Sequence, residues 1–363
     1  MAFEAGRALG YAVEVDPSFI PRVVGHNPFD RDASRVNLTL LREAQQRLND
    51  TEVAVVLTVI PPHASAFLVD PQRVETVGMR VGDLDGLDTA IRAIPGQLAK
   101  GYGRGAIPNA LLPWGRGIAE KVGTRRIARL IPYDSLHIVP WRAILRECGL
   151  PWHQLAFPIG FNLLLRQGGE SDREIQSHDV RALGYGHAGT IDLTTEADQF
   201  RTAFGPRATL VAGCTAAQVR EALGTHAVVL LSCHGEAVSQ DRGNSLLLSL
   251  ADGRVSAETV FPDRVLSRLV ILSACDSGVY TMTWGDYPIG AGPSLLRRGA
   301  RAVVGARFPV RAEFAGRFFP AFGRRLSGGG TAETALVDTL IEMESAGDDL
   351  WRDLACLELL RAV

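Results

Sequence analysis

The second half of the chain alternates short apolar runs with segments of helical periodicity. The apolar runs predict buried strands, at residues 180–184, 208–211, 227–233, 245–250, 254–256, 269–275 and 302–306. The segments with apolar residues at helical spacing predict helices at residues 195–204, 216–223, 290–298, 312–326 and 331–345. Alternation of this kind predicts a mostly parallel sheet with right-handed crossovers and helices on its faces.

The first half has a different pattern. It predicts an antiparallel meander of strands at residues 53–60, 64–69 and 74–81, a further strand at 126–132, and helices at 37–49, 84–98 and 114–122. A proline-containing lead-in precedes this half, and a polar segment without periodicity, residues 167–179, follows it. We therefore expect a lead-in at 1–36, a first α/β half at 37–166 and a second at 180–363.

Composition narrows the function classes. The hydrophobic content of 46% and charged content of 21% are those of a globular protein, and a net charge of -2 provides no field to attract nucleic acid or an anionic membrane. The longest apolar stretch, residues 53–60, is too short to span a bilayer, and the N-terminus lacks a secretory signal. Five cysteines without metal-ligand spacing favour a reducing cytoplasm. We expect a cytoplasmic protein with no metal or cofactor.

Two of the apolar runs end on reactive side chains. Residues 228–235 read VVLLSCHG and end on His234 and Gly235, while residues 269–278 read LVILSACDSG and carry Cys275. If the two strands are parallel neighbours, about 4.8 Å apart, His234 and Cys275 emerge side by side at the carboxyl edge of the sheet. A strand cysteine is more commonly an inert buried thiol, but the adjacent His-Gly and the following turn favour a reactive one.

These residue types suit nucleophilic catalysis. A thiolate is the attacking species, and an imidazole within reach can take the thiol proton and later protonate a leaving amine. The N–H groups of Gly235 and Cys275 are candidates for holding the developing oxyanion. Cys233 and His226 are weaker candidates, because Cys233 should point away from His234 and His226 precedes the strand. No carboxylate evident in the sequence completes a triad.

Further motifs accompany this pair in a fixed order. They are IPYDSL at 131–136, VPW at 139–141, SLLL at 245–248, and Gly299-Ala300 before the strand at 302–306. With His234-Gly235 and LVILSACDSG, they resemble CHAT-domain proteins, the caspase-like, separase-related cysteine peptidases of clan CD type, from about residue 40 onward. The resemblance implies an α/β fold: a caspase-like, mostly parallel sheet flanked by helices, preceded by a smaller, pseudo-caspase-like α/β half.

The resemblance also implies a function. It makes Cys275 the nucleophile and His234 the general acid/base of an endopeptidase that cleaves a specific protein partner, in a bacterial stress or defence pathway. Repeats of the kind that commonly precede CHAT regions are not evident in the sequence, so we expect no repeat domain. Regulation is therefore expected from residues 1–40, from an activating or inhibiting protein partner, or from a ligand.

Specificity does not carry over from the resemblance. Separases place an aspartate that helps to select arginine after the Gly-Ala strand, whereas residues 307–310 here read RFPV. Asp192 and Asp276 are candidates to receive a basic substrate side chain, and Arg307 an acidic one. For all three, the ordinary alternative is a surface position or a local hydrogen bond.

Two other functions remain open. One is a scaffold or sensor of the same fold whose peptidase site is idle. The other is a nucleotide-binding protein, because residues 184–189 read GYGHAG and match G-x-G-x-x-G after a predicted strand. That match is weak, since the next strand ends without the acidic residue that would hold a ribose.

Overall fold

The computed structural model describes residues 42, 44–60, 63–132, 134–159, 180–186, 193–240, 243–283 and 287–361. Contacts divide the chain into an N-terminal unit of residues 1–166, 282–287 and 363 and a C-terminal unit of residues 167–281 and 288–362. The predicted lead-in, the linker at 167–179, and residues 37–41 and 43 of the first predicted helix lie outside the described residues.

The N-terminal unit contains a four-stranded sheet with helices. Its elements are β1 (Glu52–Ile60), β2 (His63–Val69), β3 (Val74–Arg80), α1 (Leu84–Ala99), α2 (Leu111–Val122), β4 (Arg126–Pro132) and α3 (Trp141–Glu147). The strand order is β3-β2-β1-β4, with β1–β2 and β2–β3 antiparallel and β1–β4 parallel. The predicted meander is therefore confirmed.

Burial in the N-terminal sheet follows its strand positions. β1 is buried almost throughout, whereas the edge strand β3 is largely half-exposed. Trp114 of α2 packs edge-to-face on Trp141 at a centroid distance of 5.3 Å and donates its indole N–H to Val77 O at 3.1 Å. These contacts fix α2 and α3, the latter a helix that the periodicity did not predict, because it is short and begins at a proline-tryptophan step.

The C-terminal unit is built on a six-stranded sheet. The strands are β5 (Val180–Gly184), β6 (Ala208–Ala212), β7 (Val228–Ser232), β11 (Leu269–Ser273), β14 (Ala302–Ala306) and β15 (Leu357–Arg361), in the order β15-β14-β11-β7-β5-β6. All neighbouring pairs are parallel except β14–β15. β7 and β11, VVLLS and LVILS, are buried at every residue, as central parallel strands require. The predicted mostly parallel sheet is confirmed.

Helices and two smaller sheets complete this half. The helices are α4 (Leu193–Thr202), α5 (Ala216–Thr225), α6 (Ala257–Val260), α7 (Ala291–Arg297), α8 (Ala312–Ser327) and α9 (Ala332–Ser345). The smaller sheets are a meander of β8 (Gly235–Gln240), β9 (Gly243–Leu250) and β10 (Gly253–Ser256), and a hairpin of β12 (Tyr280–Thr283) and β13 (Tyr287–Gly290). None of the helices in the described ranges combines the length and the hydropathy that a bilayer crossing requires.

Several predicted boundaries were wrong. The predicted strands at 227–233 and 269–275 end at Ser232 and Ser273, so both reactive residues lie in loops. The predicted hairpin at 245–256 is confirmed as β9 and β10, but the pattern missed a third strand, because the polar segment GEAVSQ pairs with β9 as β8. β15 was missed because its sequence, LELLR, has no strand alternation; its pairing with β14 decides its structure.

Candidate active site

The register of β7 and β11 aligns the two reactive loops. Ser232 and Ser273, the last residues of these parallel neighbours, are directly paired. His234 and Cys275 each lie two positions further along the chain. The expectation that the two strands are adjacent and parallel is therefore confirmed, and it places both residues at the carboxyl edge of the sheet.

Gly235 brings the two loops into backbone contact. A Cβ at this position would lie 2.4 Å from Cys275 O and 3.3 Å from Cys275 N. No side chain larger than hydrogen fits at this distance, so glycine is required for the close approach. The glycine of the His-Gly dipeptide is therefore explained by steric fit as well as by the chemistry inferred from the sequence.

The backbone around His234 orients Gly235. The carbonyl of His234 accepts a hydrogen bond from Ser249 N–H at 2.9 Å, which places His234 in the hydrogen-bonded row facing β9. Antiparallel ladders alternate, so the N–H of the next residue, Gly235, is directed to the opposite edge. Gly235 also lies close to Cys275, so its N–H stays a candidate oxyanion donor.

Cys275 is one of two cysteine thiols that are not fully buried. Cys275 and Cys148 are half-buried, whereas Cys214, Cys233 and Cys356 are buried. Cys275 Sγ lies 3.9 Å from Val310 O, a weak contact. Burial, with a smaller contribution from the Asp276 charge, raises the pKa of the Cys275 thiol. The thiol therefore needs a base to form the thiolate near neutral pH.

Asp276 connects the cysteine loop to the histidine loop. It is the one non-glycine residue with positive φ in the described part of the chain, at 58°. Its carboxylate accepts a hydrogen bond from Ala237 N–H; burial raises its pKa, an effect that this bond opposes. Asp276 was predicted as a substrate-binding candidate, and this intrachain contact gives it a local role. Its substrate contact stays a prediction.

Ser277 and Gly278 close the turn after Cys275. Ser277 Oγ donates to Leu272 O and accepts from Ala306 N–H, both at 3.0 Å. Gly278 N–H donates to Ala306 O at 2.7 Å, and a Cβ on Gly278 would lie 3.1 Å from the carbonyl carbon of Ala306. The buried Ser277 thus holds the nucleophile loop against β14. In the sequence, only the position of Ser277 two residues after Cys275 could have indicated this role.

Arg307 is buried and paired within the chain. Its Nε lies 2.5 Å from Glu358 Oε2, with both side chains about 5% exposed or less, and its Nη2 donates to Tyr280 Oη at 3.0 Å. Burial raises the pKa of Tyr280. This pairing gives Arg307 a structural role, and its predicted contact with an acidic substrate remains a prediction. Asp192, the third specificity candidate, lies outside the described residues.

The glycine motif at 184–189 has a packing role where it is described. Gly184 ends β5, and a Cβ there would lie 2.8 Å from Thr194 Cα, so glycine admits the start of α4 against the strand. Residues 187–192 lie outside the described residues. Within the described ranges, no three His, Cys, Asp or Glu side chains are grouped as metal ligands would be.

Comparison with known proteins assigns the fold. A model of the CHAT domain family matches residues 173–350. The chain is also similar to two crystal structures of the Saccharomyces cerevisiae separase–securin complex, with TM-scores of 0.57 and 0.56 at 10% identity. These matches cover 95% and 92% of this chain but 33% and 32% of the other, so the chain spans about one third of their length. No curated protein matches.

The comparisons agree with the geometry of the C-terminal unit. The family match includes the strands and loops that carry His234 and Cys275. The likeness to separase extends over nearly the whole described chain and, at this low identity, shows the fold alone. Residues 173–350 therefore match the CHAT domain, and the chain has a caspase-like fold similar to that of separase.

Proposed function

We propose that the protein is a cysteine endopeptidase with Cys275 as nucleophile and His234 as general acid/base. The observation that carries this proposal is the backbone contact between the two loops at Gly235 and Cys275, at the ends of paired strands. The CHAT match and the separase-like fold support it, because they identify a caspase-like protease fold.

The proposed reaction has two stages. His234 takes the proton from Cys275 Sγ, and the thiolate attacks the scissile carbonyl carbon. The N–H groups of Gly235 and Cys275 hold the oxyanion, and the imidazolium protonates the leaving amine as the peptide bond breaks. His234 then activates water, which hydrolyses the thioester, releases the acid product and restores the thiol.

The proposed substrate is a specific protein, and an activating or inhibiting protein partner or a ligand would control access to the site. The neighbouring separase structures are complexes with securin, so this fold is found with a protein bound. We place this activity in a bacterial stress or defence pathway.

Fragment formation tests the proposal. The purified protein is incubated with the products of neighbouring genes, and cleavage is read by mass spectrometry. A discrete fragment is expected with the wild type and not with Cys275→Ala or His234→Ala. Cys148→Ala, which removes the other half-buried thiol, is the matched control and should cleave normally. A fragment that persists in Cys275→Ala would contradict the assignment.

An idle site is the second candidate, and one observation favours it. Burial raises the pKa of the Cys275 thiol, which disfavours the reactive thiolate. In that case the fold would bind a partner without cutting it. A peptidyl electrophile that fails to label Cys275, together with unchanged biological activity of Cys275→Ala, would support this alternative.

A further inference from the structure

A buried carboxyl group lies beneath the reactive loops, and the proposed reaction makes no use of it. Glu196 of α4 is only 4% exposed. Its carboxyl group is within hydrogen-bonding reach of the Ser273 and Ser232 hydroxyls. Neither of its oxygens, nor Ser232 Oγ, completes a hydrogen bond of good geometry among the described residues. Burying such a group costs free energy, so its presence calls for an explanation.

A row of small residues makes room for this carboxyl group. Gly184 pairs with Ser232, and Ser232 pairs with Ser273, so the row crosses three adjacent strands at their last residues. The missing side chain of Gly184 lets α4 approach, since a Cβ there would lie 2.8 Å from Thr194 Cα. Glu196, two residues after Thr194 in the same helix, lies within reach of the two serines.

The two serines connect Glu196 to the reactive residues. Ser232 precedes His234 by two positions, and Ser273 precedes Cys275 by two. Cys233 N–H also donates to Ser273 O at 3.2 Å, so the histidine loop is bonded to the end of the cysteine strand. A displacement of either serine is therefore transmitted to the relative position of the two loops.

We propose that Glu196 is a positioning residue for the His234–Cys275 pair and acts through the hydroxyls of Ser232 and Ser273. As a neutral acid, its carboxyl group can donate to one serine and accept from the other, which joins the ends of β7 and β11. The inference rests on the proposed function, because it requires that His234 and Cys275 act together.

Protonation of Glu196 provides a signature of this role. Burial raises its pKa from 4.5 to about 7, although the Ser273 and Ser232 hydroxyls oppose the shift. The titratable neighbour that faces it is the Cys233 thiol, whose own pKa is raised by burial and by nearby charges that include Glu196. Because the folded protein binds this proton more tightly, stability falls as pH rises from about 4.5 to about 7.

Alkylation of Cys275 by iodoacetamide tests the inference without a peptidase substrate. The alkylation rate is measured by mass spectrometry for each protein and for the same protein that also carries His234→Ala. The measurements run from about pH 5.5 to about pH 8.5, the interval in which histidine side chains ordinarily change charge. The ratio of the two rates, the histidine effect, should be about 10-fold in the wild type, because His234 takes the thiol proton and so favours the reactive thiolate. We expect it to fall to about 2-fold in Glu196→Leu and Ser273→Ala, since a slightly misplaced imidazole loses most of its effect.

Two further variants separate charge from structure. Glu196→Gln keeps the hydrogen-bonding shape, so it should retain most of the histidine effect and lose the inflection near pH 7 that is expected for the wild type. Glu258→Gln, an exposed glutamate of α6, is the matched control and should resemble the wild type. Glu196→Gln should also unfold at a higher temperature than the wild type at pH above about 7, with a smaller difference near pH 5.

The outcomes distinguish the inference from the proposed function. An unchanged histidine effect in Glu196→Leu and Ser273→Ala would overturn the positioning role alone. If Glu196→Leu does not fold, an unchanged effect in Ser273→Ala with an unaltered pH profile in Glu196→Gln would do the same. If the wild type itself shows no histidine effect, the proposed catalytic pair and the inference both fail.

Discussion

The parallel strands β1 and β4 of the N-terminal unit differ from the parallel strands β7 and β11 of the C-terminal unit in the residues that follow them. In the N-terminal unit, β1 and β4 pair in parallel; β1 is followed in the sequence by Pro61-Pro62, and β4 ends on Pro132. In the C-terminal unit, β7 and β11 pair in the same sense and lead to His234-Gly235 and Cys275. The strand geometry is common to both pairs, so the residues just beyond the strands make the difference.

The proline ends also lack the donors that peptidase chemistry needs. Proline has no backbone N–H, so Pro61, Pro62 and Pro132 cannot act as the oxyanion donors that Gly235 and Cys275 are proposed to be. The comparison teaches that a parallel strand pair provides the alignment, and that glycine, cysteine and histidine distinguish the pair with the proposed function.

Removing the nucleophile gives the strongest test of this difference. Cys275→Ala should lower the rate of partner cleavage by about 10⁴-fold or more, because the covalent step is lost. Cleavage kinetics with a fixed partner concentration measure the effect. Cys148→Ala in the N-terminal unit should leave the rate within about 2-fold of the wild type, since no catalytic step involves it. Equal losses in both variants would remove the distinction between the units.

The buried ion pair of Arg307 and Glu358 can be compared with an exposed pair of the N-terminal unit in its effect on stability. Glu358→Gln leaves Arg307 charged and buried without its carboxylate, so the free energy of unfolding should fall by about 3 kcal/mol in urea denaturation. The matched pair in the N-terminal unit is Arg92 and Asp88, whose side chains are 61% and 43% exposed. Arg92→Ala should cost about 0.5 kcal/mol or less. Comparable losses in the free energy of unfolding would show that burial does not determine how much these ion pairs stabilise the protein.

Gly235→Ala tests the backbone contact between the loops. The added methyl group would lie 2.4 Å from Cys275 O, so the loops must separate and the cleavage rate should fall by about 10²-fold. Gly82→Ala in the N-terminal unit meets nothing within 4 Å and is the matched control. A fully active Gly235→Ala would mean that the two loops do not need their close approach.

A series at Asp276 has the smallest expected effect and separates backbone strain from the hydrogen bond to Ala237. Asp276→Ala should lower the free energy of unfolding by about 2 kcal/mol, since it loses the acceptor and keeps a positive φ. Asp276→Gly relieves the strain and should lose about half as much. Asp276→Asn retains an acceptor and tolerates this conformation, so it should resemble the wild type. The variants are measured by thermal and urea unfolding. If all of them were as stable as the wild type, the proposed connection between the loops through Asp276 would be contradicted.

Part of the candidate site was predictable because its signal is local in sequence. His234 and Cys275 each follow a short, fully apolar run, and the strand–helix alternation between them implies a parallel sheet. Ser277, Glu196 and the Arg307–Glu358 pair were not predictable as a set. Their partners lie far away in the chain, and hydrophobic periodicity carries no information about which distant residues meet.

The amino-acid sequence by itself determined the mostly parallel sheet and the two apolar runs that lead to His234 and Cys275. Burial of apolar runs acts within a few residues, so the sequence shows it directly. The need for glycine at position 235 came from the tertiary structure, because it depends on the approach of Cys275. The tertiary structure decided the pairing of β8 and β15, the clamp of Ser277 on β14 and the place of Glu196 beneath the loops. Those features depend on backbone hydrogen bonds and buried polar contacts between distant segments, which form only when the sheet is assembled.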